Sequence, residues 1–283
     1  FKLLCNMEKF KVAFQGIKGA YSQEAITEFG KEKNIDFEAV PKKNFRELFE
    51  AINSETFLGM VPIENSNAGS VVQCYDLFWE YDFEIIGEYY LSVNHCLLAK
   101  KNCELEDIKE ILSHPQALMQ CSNFIEKNHL LAIEYGDTAS SAKFVSESDR
   151  KDLASIASVI SAEHYNLKIL KKYFQNSSDN TTRFFLVKKK GKEFEFENKF
   201  ENKKKSTLLF QTKNRAGALY KCLGAFATHN INLTKIESRP SKDKKFSYVF
   251  FVDVDNNLEG INAKQMIEEL EFFSHNLKVL GKY

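Results

Sequence analysis

The sequence predicts an α/β protein in two parts, a wound and mostly parallel sheet followed by a smaller ferredoxin-like unit. Three observations carry this reading. Up to about residue 188, apolar strands alternate with amphipathic helices, the βα pattern that builds a parallel sheet. Residues 188–205 then interrupt the pattern with a run of charge bracketed by two lysine triplets, as a domain junction does. Beyond the junction the order becomes strand, helix, strand, strand, helix, strand, the split βαββαβ motif. A chain of 283 residues has room for two modest domains with ample core.

The elements follow from hydrophobic periodicity. A first strand is expected over 11–14, after which Ala25, Ile26 and Phe29 mark the inner face of a helix. A strand over 57–63 leads to a helix in which Val71, Cys74, Tyr75 and Phe78 recur at i, i+3, i+4 and i+7. A strand over 108–112 runs to Pro115, well placed as a first helical residue, with Leu118, Cys121, Phe124 and Ile125 on the inner face behind it. A strand over 132–135 precedes a short helix from Ala139. Within the junction, the alternation of Glu193, Phe194, Glu195, Phe196 and Glu197 suggests an edge strand with a solvated face. The second unit is expected to place strands over 207–212, 233–238, 248–254 and 277–280, with helices over 219–228 and 261–273. Units of this kind expose a sheet edge through which copies pair, so a homo-oligomer is expected.

Composition excludes several classes. Thirty-nine basic residues balance thirty-nine acidic ones, so no global field draws nucleic acid or anionic lipid, and neither is expected as a partner. Any charged ligand has to be held locally. No apolar run reaches the length of a membrane span. The six cysteines, Cys5, Cys74, Cys96, Cys103, Cys121 and Cys222, form no Cys-x-x-Cys pair, and the N-terminus does not resemble a signal peptide. They read as reduced thiols of a cytoplasmic protein. The histidines lack ligand spacing, so no metal is expected. Residues 1–6, ahead of Met7, are out of keeping with an ordinary start and are assigned no role.

Candidate chemistry lies in loops at the carboxyl ends of strands, where open α/β sheets bind ligands beside helix N-termini. The loop Gln15-Gly16-Ile17-Lys18-Gly19-Ala20-Tyr21-Ser22 carries two glycines and places Ser22 as a helix cap, but it lacks both the phosphate-loop ending and the dinucleotide glycine spacing. The run Pro62-Ile63-Glu64-Asn65-Ser66-Asn67-Ala68-Gly69-Ser70 supplies donors and one carboxylate; with Ser70 capping the next helix, Glu64, Asn65 and Ser66 are left for a cleft. Ser113-His114-Pro115-Gln116 puts Gln116 in a first helical turn, with His114 read as a cap. Asp137-Thr138-Ala139-Ser140-Ser141 is again cap-like, with Asp137 structural. Finally, Thr182-Arg183-Phe184 opens an apolar strand. An arginine there is costly to dehydrate unless it meets an anion, either a ligand or a local carboxylate. If that strand returns antiparallel to the others, its start lies beside the other loops. A set of hydroxyls, amides, one arginine and one glutamate suits a dianionic substrate and a reaction driven by orientation and proton donation rather than by a cofactor.

In order along the chain, Gly16-x-x-Gly19-Ala20-Tyr21-Ser22, Val61-Pro62-Ile63-Glu64-Asn65-Ser66, Ser113-His114-Pro115-Gln116-Ala117, Asp137-Thr138-Ala139 and Thr182-Arg183-Phe184 closely resemble the prephenate dehydratases. The C-terminal unit resembles the ACT regulatory domain of that family, with Gly217-Ala218-Leu219 and Glu237-Ser238-Arg239-Pro240 as its two phenylalanine-binding motifs. Read alone, Gly217 opens a helix and Pro240 ends a strand. The resemblance implies a two-lobed, periplasmic-binding-protein-like catalytic domain over 9–188, a charged linker over 189–205 and an ACT domain over 206–283. It implies conversion of prephenate to phenylpyruvate in phenylalanine biosynthesis, without cofactor, inhibited by L-phenylalanine. It implies catalytic roles for Thr182 as hydrogen-bond donor to the leaving hydroxyl, Glu64 as the runner-up acid, and Arg183 as the grip on a carboxylate. Asn65, Ser66, Ser113, Gln116, Thr138, Ser140 and Phe184 would surround the substrate, and Gly217 to Leu219 with Glu237 to Pro240 would hold phenylalanine. Ile17 replaces a proline frequent in relatives. With about ten residues ahead of the first strand, no fused chorismate mutase is expected, so the chain should be monofunctional. Arogenate dehydratase and a non-catalytic anion and amino-acid sensor stand as alternatives, and dimer and tetramer both remain open.

Overall fold

The computed structural model describes residues 9–200, 203–241 and 247–283, so the reading of residues 1–6 lies outside it. In chain order the first elements are β1 (Phe10–Gln15), α1 (Tyr21–Lys33), β2 (Phe37–Lys42), α2 (Phe45–Ser54), β3 (Leu58–Asn65), β4 (Gly69–Ser70), α3 (Val72–Glu80) and β5 (Phe83–Ser92). There follow β6 (Cys96–Ala99), β7 (Glu110–Ser113), α4 (Pro115–Gln120), α5 (Ser122–Lys127), β8 (Leu131–Glu134), α6 (Thr138–Glu147), β9 (Leu153–Ala157), α7 (Val159–His164), β10 (Lys168–Lys172) and β11 (Thr181–Lys189). The C-terminal part adds β12 (Ser206–Thr212), α8 (Ala218–Thr228), β13 (Leu233–Pro240), β14 (Tyr248–Val254), α9 (Ile261–Phe273) and β15 (Ser274–Lys282). Contacts divide the chain into one compact unit of Phe1–Val71 with Tyr89–Phe184 and another of Val72–Glu88 with Phe185–Tyr283. Helix α3 and the start of β5 therefore group with the C-terminal segment, although they lie within the span the sequence assigns to the first domain.

The first unit holds two sheets and so has two lobes. In one, β1 pairs parallel with β2 and with β3. The neighbouring β11 begins where β3 ends, since the Ser66 N–H donates to the Thr181 carbonyl at 2.9 Å. It is the antiparallel return strand. The other sheet, in the order β10-β6-β9-β7-β8, is parallel through β7, β8 and β9 and antiparallel at β6 and β10. Strand periodicity separates its two cores: Leu97 and Ile111 pack with Leu118, Cys121 and Ile125 on one face, whereas Leu98 and Leu112 pack with Ala142 and Val145 on the other.

Two crossovers, 93–95 and 173–180, join the lobes and are bonded to each other. The Val93 N–H donates to the Asn180 carbonyl at 2.7 Å, the His95 N–H to Gln175 Oε1 at 3.1 Å, and Gln175 Nε2 to Asn94 Oδ1 at 3.0 Å. The glycine loop after β1 adds a further tie. Gly16 and Gly19 have φ of 122° and 92°, and the Gly19 carbonyl accepts the hydroxyls of Ser158 (2.7 Å) and Ser161 (2.8 Å). A Cβ on Gly19 would lie 2.5 Å from Ser161 Oγ. The backbone approach that these glycines allow is thus to α7.

The C-terminal unit has the expected βαββαβ order with sheet order β13-β14-β12-β15, and β5 pairs parallel with β15. Phe210, Phe226, Phe250, Val252, Met266 and Leu270 form its core beneath α8 and α9. Phe251, next to Phe250, points to the other face and meets Tyr75 of α3 edge-on at 4.9 Å.

Several expectations are corrected. The junction is not an edge strand: Glu195–Lys199 forms a 3-10 turn that buries Phe196, and buried Lys188 reaches Glu197 at 2.7 Å and Glu84 at 3.4 Å. Ser22 lies inside α1, whose cap is Ala20, and Ser70 belongs to β4 rather than capping α3. The segments β2, α2, β5, β6, β9, α7 and β10 escaped the periodicity. Among them, β2 carries Pro41 and has no fully buried residue, with Glu38 and Pro41 exposed, and β9 is buried on both faces, so neither alternates. Cys74, Cys96, Cys103, Cys121 and Cys222 are all buried free thiols.

At β15, a Cβ on Gly281 would lie 2.1 Å from the Ile85 carbonyl oxygen. Gly281→Ala is therefore expected to cost about 1–3 kcal/mol, the usual range for overpacking, read as a lowered urea midpoint. An unchanged midpoint would refute this account of the β5 contact.

Candidate active site

Between the two lobes of the first unit lies a cavity of about 320 Å³. Asn65, Ala68, Val71 and Thr182 line it from one lobe, and His114, Gln116, Ala117, Gln120, Asp137 and Thr138 from the other. Tyr21, Val93, His95 and Asn180 complete the wall. No lysine or arginine is among these residues, and Asp137 is their only carboxylate.

Local rules position each group. Asn65 ends β3 and turns its side-chain carbonyl onto the N–H groups of Asn67 (3.0 Å) and Ala68 (2.9 Å), an Asx turn. Its amide nitrogen must then face the cavity side, where it donates to Asn180 Oδ1 (2.7 Å) and Thr182 Oγ1 (3.0 Å). Asn180 consequently directs its own amide N–H to Gln120 Oε1 at 3.1 Å. The same oxygen lies 2.8 Å from His95 Nε2, which fixes that nitrogen as the protonated one. His95 Nδ1 is left to accept from the Tyr21 hydroxyl at 2.7 Å. Burial first, and then Glu24, hold the Tyr21 hydroxyl well above its usual pKa, so it remains a donor. One hydrogen-bond chain thus runs from Tyr21 through His95, Gln120, Asn180 and Asn65 to Thr182.

The helix starts are capped as their sequences imply. His114 accepts the Gln116 N–H at 3.3 Å ahead of Pro115, and Asp137 accepts the Ser140 N–H at 2.7 Å. Gln116 and Thr138 reach the cavity from these first turns.

The structure separates the remaining candidates from this cavity. Successive residues of a strand face opposite sides, so Thr182 and Asn65 share the cavity side while Arg183 and Glu64 share the other. Arg183, only 5% exposed, lies 3.8 Å from Glu64 Oε1 and over the Tyr90 ring at 5.8 Å. The expectation that Arg183 grips substrate, with Glu64 as reserve acid, meets a guanidinium matched to a local carboxylate instead. Ser66 donates to the Asp179 carbonyl at 2.7 Å and accepts the Thr181 N–H. Ser113 is fully buried and donates to the Ile156 carbonyl at 2.7 Å, tying β7 to β9. Ser140 turns its hydroxyl onto Asp137, and Phe184 lies in the core. His95 and Gln120 escaped the sequence reading; the one available signal was Gln120, one helical turn beyond Gln116.

In the C-terminal unit the two expected effector motifs lie apart. Gly217, at φ 73°, begins α8, and Gly217, Ala218 and Leu219 line a cavity of about 340 Å³ with Lys213, Arg215 and Tyr248. Arg239 and Pro240 line a separate slot with Tyr75, Asp76, Trp79 and Phe251. Glu237 and Ser238 line neither.

Burial lowers the His95 pKa from 6.5, with the Gln120 hydrogen bond opposing it. The folded state therefore prefers neutral imidazole, and below pH 6.5 the unfolded chain takes up the proton more readily. Stability should fall as pH drops from 6.5 toward the folded pKa and rise again with pH through that window. In urea titrations between pH 5 and 8, His95→Gln should flatten this slope; an unaltered slope would exclude His95 as its source.

The sequence matches the prephenate dehydratase family over residues 12–192 and the ACT domain over 206–271. It is 39% identical to the prephenate dehydratase of Methanocaldococcus jannaschii, covering 94% of this chain and 95% of that protein. It is 37% identical to arogenate dehydratase 2 of Petunia hybrida, covering 97% of this chain and 72% of that protein. A solved structure described as GqqA, a novel type of quorum quenching acylase, aligns with TM-score 0.86 and 32% identity over 96% of this chain and 97% of its own. Prephenate dehydratase from Arthrobacter aurescens in complex with L-Phe aligns with TM-score 0.85 and 26% identity over 96% and 89%. With both modules matched in order and curated relatives covered over most of their length, the chain belongs to the prephenate dehydratase family and carries a C-terminal ACT domain.

Proposed function

We propose that the cavity converts prephenate to phenylpyruvate and that the ACT domain makes the conversion inhibitable by L-phenylalanine. The observation that carries the chemistry is the Asn65–Thr182 contact. Because Thr182 Oγ1 accepts an Asn65 N–H, its own hydroxyl proton is not spent on Asn65 and is available to an acceptor in the cavity that Thr182 lines. There it donates to the C4 hydroxyl of the substrate. The C–CO2 bond breaks, its electron pair moves into the ring, and the C4–O bond breaks to release hydroxide, which takes a proton from solvent to become water. Aromatisation drives the step. A threonine is no strong acid, so its contribution is a fixed dipole in a site with little water. Gln116, Thr138 and the N–H groups at the start of α6 are assigned to the carboxylates, with no cofactor.

A second reading rests on the cavity's charge. With Asp137 as its only carboxylate and no cationic side chain other than histidine, it suits the α-ammonium of arogenate as well as the keto group of prephenate. Rates on the two substrates, with and without phenylalanine, decide between them. Binding without turnover would support a sensor instead. β13, at the end of its sheet, is the proposed edge through which a dimer or tetramer forms, and reduced buried thiols fit the cytoplasm. No helix among the described residues is long and apolar enough to cross a membrane.

Thr182→Ala should fold normally and lose on the order of 10²-fold or more in kcat, typical of a positioned proton donor. Near-normal turnover would refute the assignment. Gly217→Ala and Glu237→Ala should each relieve phenylalanine inhibition while sparing catalysis, because effector coupling is typically about 1–3 kcal/mol. If both variants were inhibited like the unmodified protein, the regulatory sites would lie elsewhere.

A further inference from the structure

Helix α3 packs on the face of the C-terminal sheet opposite α8 and α9, where an ion pair, ring contacts of Tyr75 and the Lys278 ammonium 5.8 Å above the Trp79 ring join the two. Arg239 Nε and Nη2 donate to Asp76 Oδ1 and Oδ2 at 3.0 and 3.2 Å, a bidentate pair whose side chains are 25% and 27% exposed. Beside it, Tyr75 meets Phe251 edge-on, and Lys235 Nζ lies 5.9 Å above the Tyr75 ring. Residue alternation along β13 puts Lys235, Glu237 and Arg239 on this same face. The motif expected to hold phenylalanine therefore has its arginine committed to α3.

The start of α3 is tied by the chain to the catalytic loop. Val72 follows Val71, which lines the catalytic cavity and donates its N–H to the Ile63 carbonyl at 2.8 Å. Just before it, Gly69 and Ser70 pair with Asn65 and Glu64. Only one residue separates α3 from the strand that braces Asn65.

We propose that the Asp76–Arg239 pair is a latch that holds α3, and with it the Asn65 loop, in the active arrangement, and that phenylalanine inhibits by drawing Arg239 away from Asp76. The proposal rests on the regulatory reading given above. Breaking the latch has a defined thermodynamic consequence. An effector that must open the pair binds more weakly by the free energy of the pair, so a chain lacking the pair binds it more tightly.

The test uses Asp76→Asn in the full chain, with Asp76→Glu as the variant that keeps the charge. A pair exposed to this degree contributes less than about 1 kcal/mol, which corresponds to roughly two- to fivefold in affinity. Asp76→Asn should lower both the phenylalanine Kd, measured by calorimetry, and the half-inhibiting concentration by that factor, while Asp76→Glu stays close to the unmodified protein. A purely structural role for Asp76 would lower Tm without moving Kd. An unchanged or weakened Kd in Asp76→Asn overturns the latch. If the unmodified protein neither bound phenylalanine nor was inhibited by it, the regulatory reading would fail first, and the latch with it.

Discussion

Two backbone N–H groups decide the chemistry of the cavity. By holding the Asn65 carbonyl, Asn67 and Ala68 leave that side chain one way to point its donors. Every later polarity follows: Asn180 turns its donor to Gln120, Gln120 offers its oxygen to His95, and His95 takes its proton on Nε2. At the other end of the chain, Thr182 accepts from Asn65 and keeps its own proton for another acceptor. A fully satisfied polar network in a low-dielectric setting is rigid, because flipping any one member would leave a buried donor facing a donor. The orientation of the network is inherited from a turn.

The same strand geometry separates two adjacent residues into different tasks. Thr182 faces the cavity, whereas Arg183 faces Glu64 and Tyr90. Buried Arg183 lies 3.8 Å from Glu64 and so links β11 to β3. The cavity is lined by hydroxyls, amides, two histidines and one carboxylate, with no lysine or arginine among its lining residues. In the proposed reaction the ring carboxylate's electron pair passes through the ring as neutral carbon dioxide departs, and the negative charge leaves on hydroxide.

Much of this was legible in the sequence, and the failures have physical causes. The C-terminal unit was read element by element because β12 and β14 are short apolar runs buried on both faces and α8 and α9 each bury one face, so that α9 matched at both ends. Thr182, Asn65, Gln116 and Thr138 could be gathered because each follows or begins a strand at one edge of a sheet. Arg183, Glu64 and Ser113 were misplaced in space because a motif gives neighbours along the chain, whereas the pleat assigns alternate faces. His95 sits in a crossover with no periodicity, and its partners Tyr21 and Gln120 come from 74 residues before and 25 after it. Of the two motifs expected to hold phenylalanine, Gly217 to Leu219 and Arg239 with Pro240 open in one chain into different depressions.

The Gly19 carbonyl has a mechanical meaning beyond the loop it closes. Two-lobed proteins that trap ligands by swinging shut need a seam that can part, with the crossovers as the only strands of material holding the halves together. Here the seam is stitched at several points: by the hydroxyls of Ser158 and Ser161 on Gly19, by Tyr165 on the Lys18 carbonyl at 2.7 Å, and by the bonds between the crossovers themselves. Parting the lobes on the side of the glycine loop would have to break the bonds from Ser158, Ser161 and Tyr165, whereas the bonds between the crossovers couple the two connecting segments to each other.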